Sequence, residues 1–171
     1  MKIAKDEIIV IAGVQGTGKT TLAKYLLQRI TKPKIIIDPN GEYEKNLGEV
    51  IIPYGDISEL LTKLVARGNL CVAIDEADMF FRQSHYPLNG IYHYFVHLGR
   101  HRNLLRIFIT RRIADLHKDV VSQATHIISF YQFLPNDIDY LKKFMGSGAL
   151  LTTKLQKHQF IIFEQGNGIL G

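Results

Sequence analysis

Cysteine is nearly absent. Cys71 is the only one in the chain, so no intramolecular disulfide can form and a reducing compartment is favoured. Long apolar runs are missing as well: none reaches the roughly 18–20 residues that a membrane-spanning helix needs. The N-terminal stretch sets Lys2, Lys5, Asp6 and Glu7 among few apolar residues, which is not the pattern of a signal peptide. A cytoplasmic location is the expectation from these absences. There is no internal repeat and no low-complexity block. Neither charge sign is in large excess, with 21 Lys+Arg against 16 Asp+Glu and a formal charge of +5. That balance permits a nucleic-acid partner without establishing one.

What is present is a globular composition, 46% hydrophobic and 22% charged over 171 residues. The length suits one domain spanning residues 1–171, with a core large enough to fold without staples. Residues 165–171 are expected to be a flexible tail.

The stretch Gly13-Val14-Gln15-Gly16-Thr17-Gly18-Lys19-Thr20 fits G-x-x-x-x-G-K-[ST], the phosphate-binding P-loop. Its context agrees on both sides. Ile8 to Ala12 is an apolar run that reads as a buried parallel strand. Thr21 to Ile30 sets Leu22, Leu26, Leu27 and Ile30 on one helical face. Glycines let backbone N–H groups turn onto phosphate oxygens, and the helix start adds its positive dipole end. Lys19 can reach the β- and γ-phosphates, and the Thr20 hydroxyl can ligate Mg²⁺. Thr21 continues the loop into the helix.

The remaining chain alternates strands and helices. Lys34–Asp38 reads as a second strand, followed by a turn at Pro39-Asn40-Gly41, and a further short strand falls at 50–52. Asp56 and Glu59 have capping-box spacing and open a helix stopped near Gly68. Leu70–Ile74 is a buried strand ending in Asp75-Glu76. Leu88, Ile91, Tyr92, Phe95 and Val96 share one helical face, and Leu104–Ile109 is the next strand, ending at Thr110-Arg111-Arg112. A short helix is expected over 114–122, a strand over 126–130, and a helix capped by Asn136 and Asp137 through Phe144. Leu150–Leu155 and Phe160–Phe163 are expected to pair as a C-terminal β-hairpin joined at Lys157-His158. The pattern predicts an α/β fold of the RecA-like P-loop type, a mostly parallel sheet flanked by helices. Gly13, Asp38, Asp75 and Thr110 all fall at strand C-terminal ends, where such sheets bind ligands.

Asp75 and Glu76 after four or five apolar residues follow the Walker B pattern. Asp75 would serve the Mg²⁺ shell, and Glu76 would polarise a water. With these residues in view, the chain resembles the HerA/FtsK superfamily of DNA-pumping ATPases, which includes viral genome-packaging ATPases and conjugation pumps. The P-loop, Ile37-Asp38-Pro39-Asn40-Gly41-Glu42-Tyr43, Ile74-Asp75-Glu76-Ala77-Asp78, and Gly99-Arg100-His101-Arg102 with Ile109-Thr110-Arg111-Arg112 carry the likeness over roughly residues 8–130. Zonular-occludens-toxin-like phage assembly ATPases are close relatives of the pattern. The resemblance implies that Asp38 and Glu42 line the nucleotide site, although both also suit turn and cap positions. The family's fourth strand ends in T-Q-R-P with a glutamine that senses the γ-phosphate. Here Arg111 stands in that place, so a sensor role falls to Thr110 or Arg111, or is weakened.

Five arginines lie from Arg100 to Arg112. Arg100 or Arg102 could act as an arginine finger toward a neighbouring subunit, the group could be a DNA-phosphate patch, or it could be a solvated turn. His93, His97 and His101 recur at i, i+4, i+8, but Tyr94 stands where a zinc protease needs glutamate, so helix-surface histidines are the better reading. The expectation is a ring-forming Mg²⁺-ATP-hydrolysing motor, hexameric by resemblance, that translocates or packages double-stranded DNA, with Phe81-Arg82-Gln83 as the contact loop. A small-molecule P-loop kinase and an ATP-binding assembly scaffold are the rivals. An accessory nuclease or a portal or capsid partner is left open.

Overall fold

The computed structural model describes residues 6–170. Eight strands form one sheet: β1 (Ile8–Ala12), β2 (Lys34–Ile37), β3 (Glu49–Ile51), β4 (Cys71–Ile74), β5 (Leu105–Thr110), β6 (His126–Ser129), β7 (Ile161–Glu164) and β8 (Gly168–Leu170). Their order is β3-β2-β4-β5-β1-β6-β7-β8. The first six are parallel, and β7 and β8 are antiparallel additions at one edge. β5 lies between the P-loop strand and the Asp75 strand, with Ala12 level with Thr110 and Ile74 level with Phe108.

Five α-helices flank the sheet: α1 (Lys19–Arg29), α2 (Ser58–Arg67), α3 (Gly90–His93), α4 (Lys118–Ser122) and α5 (Pro135–Met145). β1 and β4 are apolar at every position, and β5 is apolar apart from Arg106 and Thr110, because both faces are covered. Ile9 and Ile11 of β1 join Ala23, Leu26 and Leu27 of α1 in one core layer. Ile8, Val10 and Ala12 face the opposite layer, with Leu61 and Leu64 of α2 and Leu141 of α5. Among the described residues, no helix is long and apolar enough to cross a membrane.

Several expected elements differ. The helix drawn through Leu88–Val96 is only one α-turn at α3. It continues as a π-helical stretch, Tyr94–Leu98, and a 3₁₀ turn, Gly99–Arg102. The buried Arg106 guanidinium takes up the carbonyls of Phe95 and Val96 at 2.9 and 2.8 Å, which satisfies groups that the irregular helix leaves open. The capping box does not form. Asp56 accepts the Ser58 N–H at 2.6 Å, while Glu59 pairs with Lys63 at 2.7 Å. The helix expected over 114–122 divides into a 3₁₀ turn at Ile113–Asp115 and α4.

The C-terminal hairpin exists, but not where the pattern put it. Leu150–Leu155 is not a strand: Gly146–Lys154 is a 3₁₀ stretch that buries Ala149 and Thr152, three residues apart. The hairpin is β7 with β8, so Gly168–Leu170 is a strand within the segment expected to be a flexible tail.

Candidate nucleotide-binding site

The P-loop connects β1 to α1 and turns back under its own glycines. Gly13 has φ +154°, and a Cβ there would stand 2.6 Å from Cβ of Phe130. Gly18 has φ +113° and caps α1 without any side-chain hydrogen bond, so the first N–H groups of that helix face the loop unclaimed by a side chain. Inside the loop, the Thr17 hydroxyl donates to the Val14 carbonyl at 2.8 Å and the Lys19 ammonium donates to the same oxygen at 3.1 Å. The Val14 N–H donates to the Tyr131 carbonyl beyond β6, which ties the loop to the neighbouring strand.

A cavity of about 370 Å³ opens over this loop, lined by Gln15, Gly16, Gly18, Lys19, Thr20 and Thr21 from the P-loop and α1. Glu42, Asp75, Glu76 and Arg111 close it from the ends of β2, β4 and β5, and Lys157 and His158 close it from the turn before β7. Thr20 donates to Glu42 at 3.3 Å. Glu76 accepts from Nε and Nη2 of Arg111, both at 2.8 Å, and from Asn40 at 3.5 Å. Glu76 itself sits at φ +47°, a left-handed conformation uncommon outside glycine. Gly13, Val14 and Thr17 form the loop's frame, and Asp38 lies just behind it, wholly buried, accepting the Tyr43 N–H at 2.9 Å.

The electrostatics are those of a site short of positive charge. Burial pushes the Asp75 carboxyl up to about 6, and the nearby carboxylates of Glu76 and Glu42 push the same way. Burial lowers the Lys19 ammonium from its ordinary value, opposed by Glu76 and Asp75. Tyr43, pushed well up by burial and by Asp75, is buried beside these groups. Its hydroxyl and Oδ1 of Asp38 have no hydrogen-bond partner among the described residues. The hard oxygen donors of Thr20 and Asp75, the latter a buried carboxylate with further carboxylates beside it, fit a hydrated Mg²⁺. Among the described residues, no group of three or more His, Cys, Asp or Glu could hold a metal unaided. Such an ion would therefore rest on Thr20 and Asp75 together with the phosphates.

The other sequence candidates lie elsewhere. Thr110 is buried and donates to Asp78 at 2.7 Å, outside the cavity, so of the two sensor candidates only Arg111 faces it. Arg100 and Arg102 precede β5 and so sit at the opposite end of the parallel strands from the P-loop. Arg102 caps α2, donating to the carbonyls of Val65 at 2.9 Å and Ala66 at 2.5 Å. Arg106 is core, pushed down to about 10 by burial, and Arg112 pairs with Asp115 and Asp137. The five arginines are therefore not one patch. Phe81 is fully buried against Phe108 and Tyr92, which removes it from any contact surface. His93 and His97 stack at 4.3 Å, and His97 lies 3.8 Å from Asp119. The sequence pattern marks Lys157 and His158 only as a turn. No local signal marks them, because a tertiary contact some 140 residues away brings them to the P-loop.

The fold is that of known P-loop ATPases. Over nearly its whole length the structure is similar to the genome packaging NTPase B204 from Sulfolobus turreted icosahedral virus 2, solved in complex with AMPPCP. Identity is 25%, the TM-score 0.87, and 98% of this chain and 97% of that chain are covered. The N-terminal domain of zonular occludens toxin from Neisseria meningitidis matches at 15% identity and a TM-score of 0.58, covering 75% of this chain and 78% of that one. The pCW3 conjugation coupling protein TcpA, in its monomer form with ATPγS, matches at 15% identity and a TM-score of 0.72, covering 97% of this chain and 59% of that one. The three kinds of protein named by the motif resemblance are thus all represented among the structural neighbours. No curated protein matches the chain by sequence. The model of the ATPase family associated with various cellular activities (AAA) matches residues 9–132, most of the chain, and the protein belongs to that family.

Proposed function

We propose that this P-loop ATPase is a ring-forming motor that couples Mg²⁺-dependent ATP hydrolysis to the translocation or packaging of double-stranded DNA. The observation that carries the reading is the convergence of Lys19, Thr20, Asp75, Glu76 and Arg111 on one cavity over the P-loop. The near full-length likeness to a genome packaging NTPase supports the same reading.

In this reading the P-loop N–H groups and Lys19 hold the β- and γ-phosphates, with the Lys19 ammonium exchanging the Val14 carbonyl for phosphate oxygen. Mg²⁺ held by Thr20 and Asp75 supplies charge neutralisation at the phosphate oxygens. Glu76 orients a water in line with the γ-phosphorus and accepts its proton as the new O–P bond forms and the bond to ADP breaks. Arg111 meets the charge on the γ-phosphoryl oxygens. The assembly is a homo-oligomeric ring, for which a hexamer is the expectation, and its fold unit is the whole chain.

The test pairs two measurements on the full chain: ATP hydrolysis with and without duplex DNA at low salt, and native mass with and without ATP. A ring in ATP and a DNA-stimulated rate are expected. A persistent monomer that phosphorylates a metabolite would support a kinase instead. Tight ATP binding with negligible turnover, DNA present or not, would support an assembly scaffold.

A further inference from the structure

The Lys157–His158 turn is a part of the cavity wall to which the ATPase reading gives no task. It stands on the opposite flank of the P-loop from the catalytic carboxylates. Glu76 and Arg111 project from the ends of β4 and β5, on one side of β1. Lys157 and His158 precede β7, which lies past β6 on the other side. The turn is held tightly. The His158 N–H donates to the Thr17 carbonyl at 2.9 Å, and Gln156 and Gln159 close it with reciprocal bonds at 2.9 and 3.0 Å. The His158 backbone is left-handed, φ +67°. Its ring lies directly over Gly18, where a Cβ would come within 2.6 Å of Nδ1. Phe160, against Phe130 at 5.3 Å, supports the turn from below. Neither the Lys157 ammonium nor the His158 imidazole has a hydrogen-bond or ion-pair partner among the described residues.

We propose that this turn is the nucleoside-side wall of the site, with His158 packed on the base and Lys157 turned to the α-phosphate. The inference rests on the ATPase reading. Hydrolysis requires the γ-phosphate beside Glu76, so the phosphate chain must run away from Glu76 across the start of α1. Ribose and base then leave the loop on the far flank, where the His158 ring is already fixed over Gly18. An imidazole presents a flat face to a purine and ring nitrogens to its edge. A lysine whose charge is unspent suits a phosphate as a point charge. A P-loop by itself grips phosphate and carries no preference for what is attached. A second wall made by the C-terminal hairpin would supply that preference and would tie β7 and β8 to nucleotide occupancy.

The test is calorimetric binding of Mg-ATP, Mg-ADP and inorganic tripolyphosphate to the full chain and three variants. His158→Ala should weaken ATP and ADP at least tenfold, about 1.4 kcal/mol, and leave tripolyphosphate within twofold. His158→Asn, which tolerates the left-handed backbone, should show the same selective loss. Lys157→Ala should weaken all three ligands, and less so as salt rises. Equal loss of nucleotide and tripolyphosphate in both His158 variants, or no loss, overturns the assignment of His158. Unchanged binding in Lys157→Ala removes Lys157 from the wall. Failure of the unaltered protein to bind any of the three overturns the ATPase reading itself.

Discussion

Arg111 holds Glu76 with two nitrogens at once, Nε and Nη2 each 2.8 Å from the same carboxylate oxygen. The residue that would orient the attacking water is thus occupied by the residue that would meet the γ-phosphate. A γ-phosphate arriving beside Arg111 would compete for the guanidinium and free Glu76, which would link water activation to the presence of ATP and not ADP. Glu76→Gln should bind ATP normally and hydrolyse it about 10²–10⁴-fold more slowly, the usual worth of a positioned general base. Arg111→Ala should weaken ATP and leave ADP affinity unchanged. Lys19→Ala should weaken both nucleotides. Undiminished turnover in Glu76→Gln would remove it as the base, and equal loss of ATP and ADP in Arg111→Ala would break the link.

The site is electrostatically costly before anything binds. Asp75 is raised from 3.8 to about 6, chiefly by burial, so the folded protein binds a proton there more readily than the unfolded chain. By linkage this contribution favours the fold at low pH, and stability is lost as pH rises from about 4 through 6. Well above pH 6 the charged carboxylate costs about 3 kcal/mol. Asp75→Asn keeps an acceptor for the Glu76 N–H and should raise the melting temperature of the ligand-free protein by several degrees at pH 7.5. The same variant should lose the extra stabilisation that Mg-ATP gives the parent. A lower melting temperature without ligand would contradict the argument.

Cys71 lies wholly inside β4, and burial pushes its thiol up to about 12. Only the thiolate reacts, so aromatic disulfide reagents should label it at the rate of global unfolding and no faster. Rapid labelling of the native protein at pH 8 would show that β4 opens locally.

The central sheet was legible because its strands are short, mostly apolar and bounded by turns, and because the P-loop fixes one strand and one helix outright. Asp38, Asp75 and Thr110 were readable as strand ends, yet that position alone does not say which side chain faces the ligand. Thr110 turns to Asp78 and leaves the cavity to Arg111. The run Leu150–Leu155 has the composition of a strand, but its buried positions are spaced by three, a difference that only packing against α5 reveals. The arginines illustrate the same limit. Identical residue types within one short stretch became a helix cap, a core guanidinium and a site residue, according to which carbonyls and carboxylates the fold put beside them.

DNA binding, if this is a motor, should be electrostatic and insensitive to sequence. Its affinity should fall steeply with salt, because phosphate contacts release counterions. With Phe81 buried, the exposed part of that loop is Arg82 and Gln83, which line a cavity of about 600 Å³ with Arg112. Arg82→Ala should reduce the salt slope by about one and weaken duplexes of any sequence alike. A loss confined to one sequence, or no loss, would place the contact elsewhere.

The trans arginine is the sharpest test of the ring. Arg100 and Arg102 lie at the end of the strands opposite the P-loop, so within one subunit neither can reach its own nucleotide. A ring repeats one heterologous contact, in which one face of each subunit meets a different face of the next. In that arrangement an arginine far from its own site can sit beside its neighbour's. Arg102 is engaged in capping α2 through Val65 and Ala66, so Arg102→Ala should lower stability as well as activity. Arg100 is exposed beside a cavity shared with His97 and Arg106, and its guanidinium makes no hydrogen bond or ion pair among the described residues. Arg100→Ala should therefore leave folding and ATP binding intact and, if it is the finger, cut hydrolysis by about 10³–10⁵. Mixing decides between a finger and an ordinary surface charge. An Arg100→Ala subunit with an intact P-loop, placed beside a Lys19→Ala subunit that still carries Arg100, should regain activity, because one supplies the site and the other the guanidinium. Mixed rings of verified composition with no recovery would show that Arg100 does not act across the boundary.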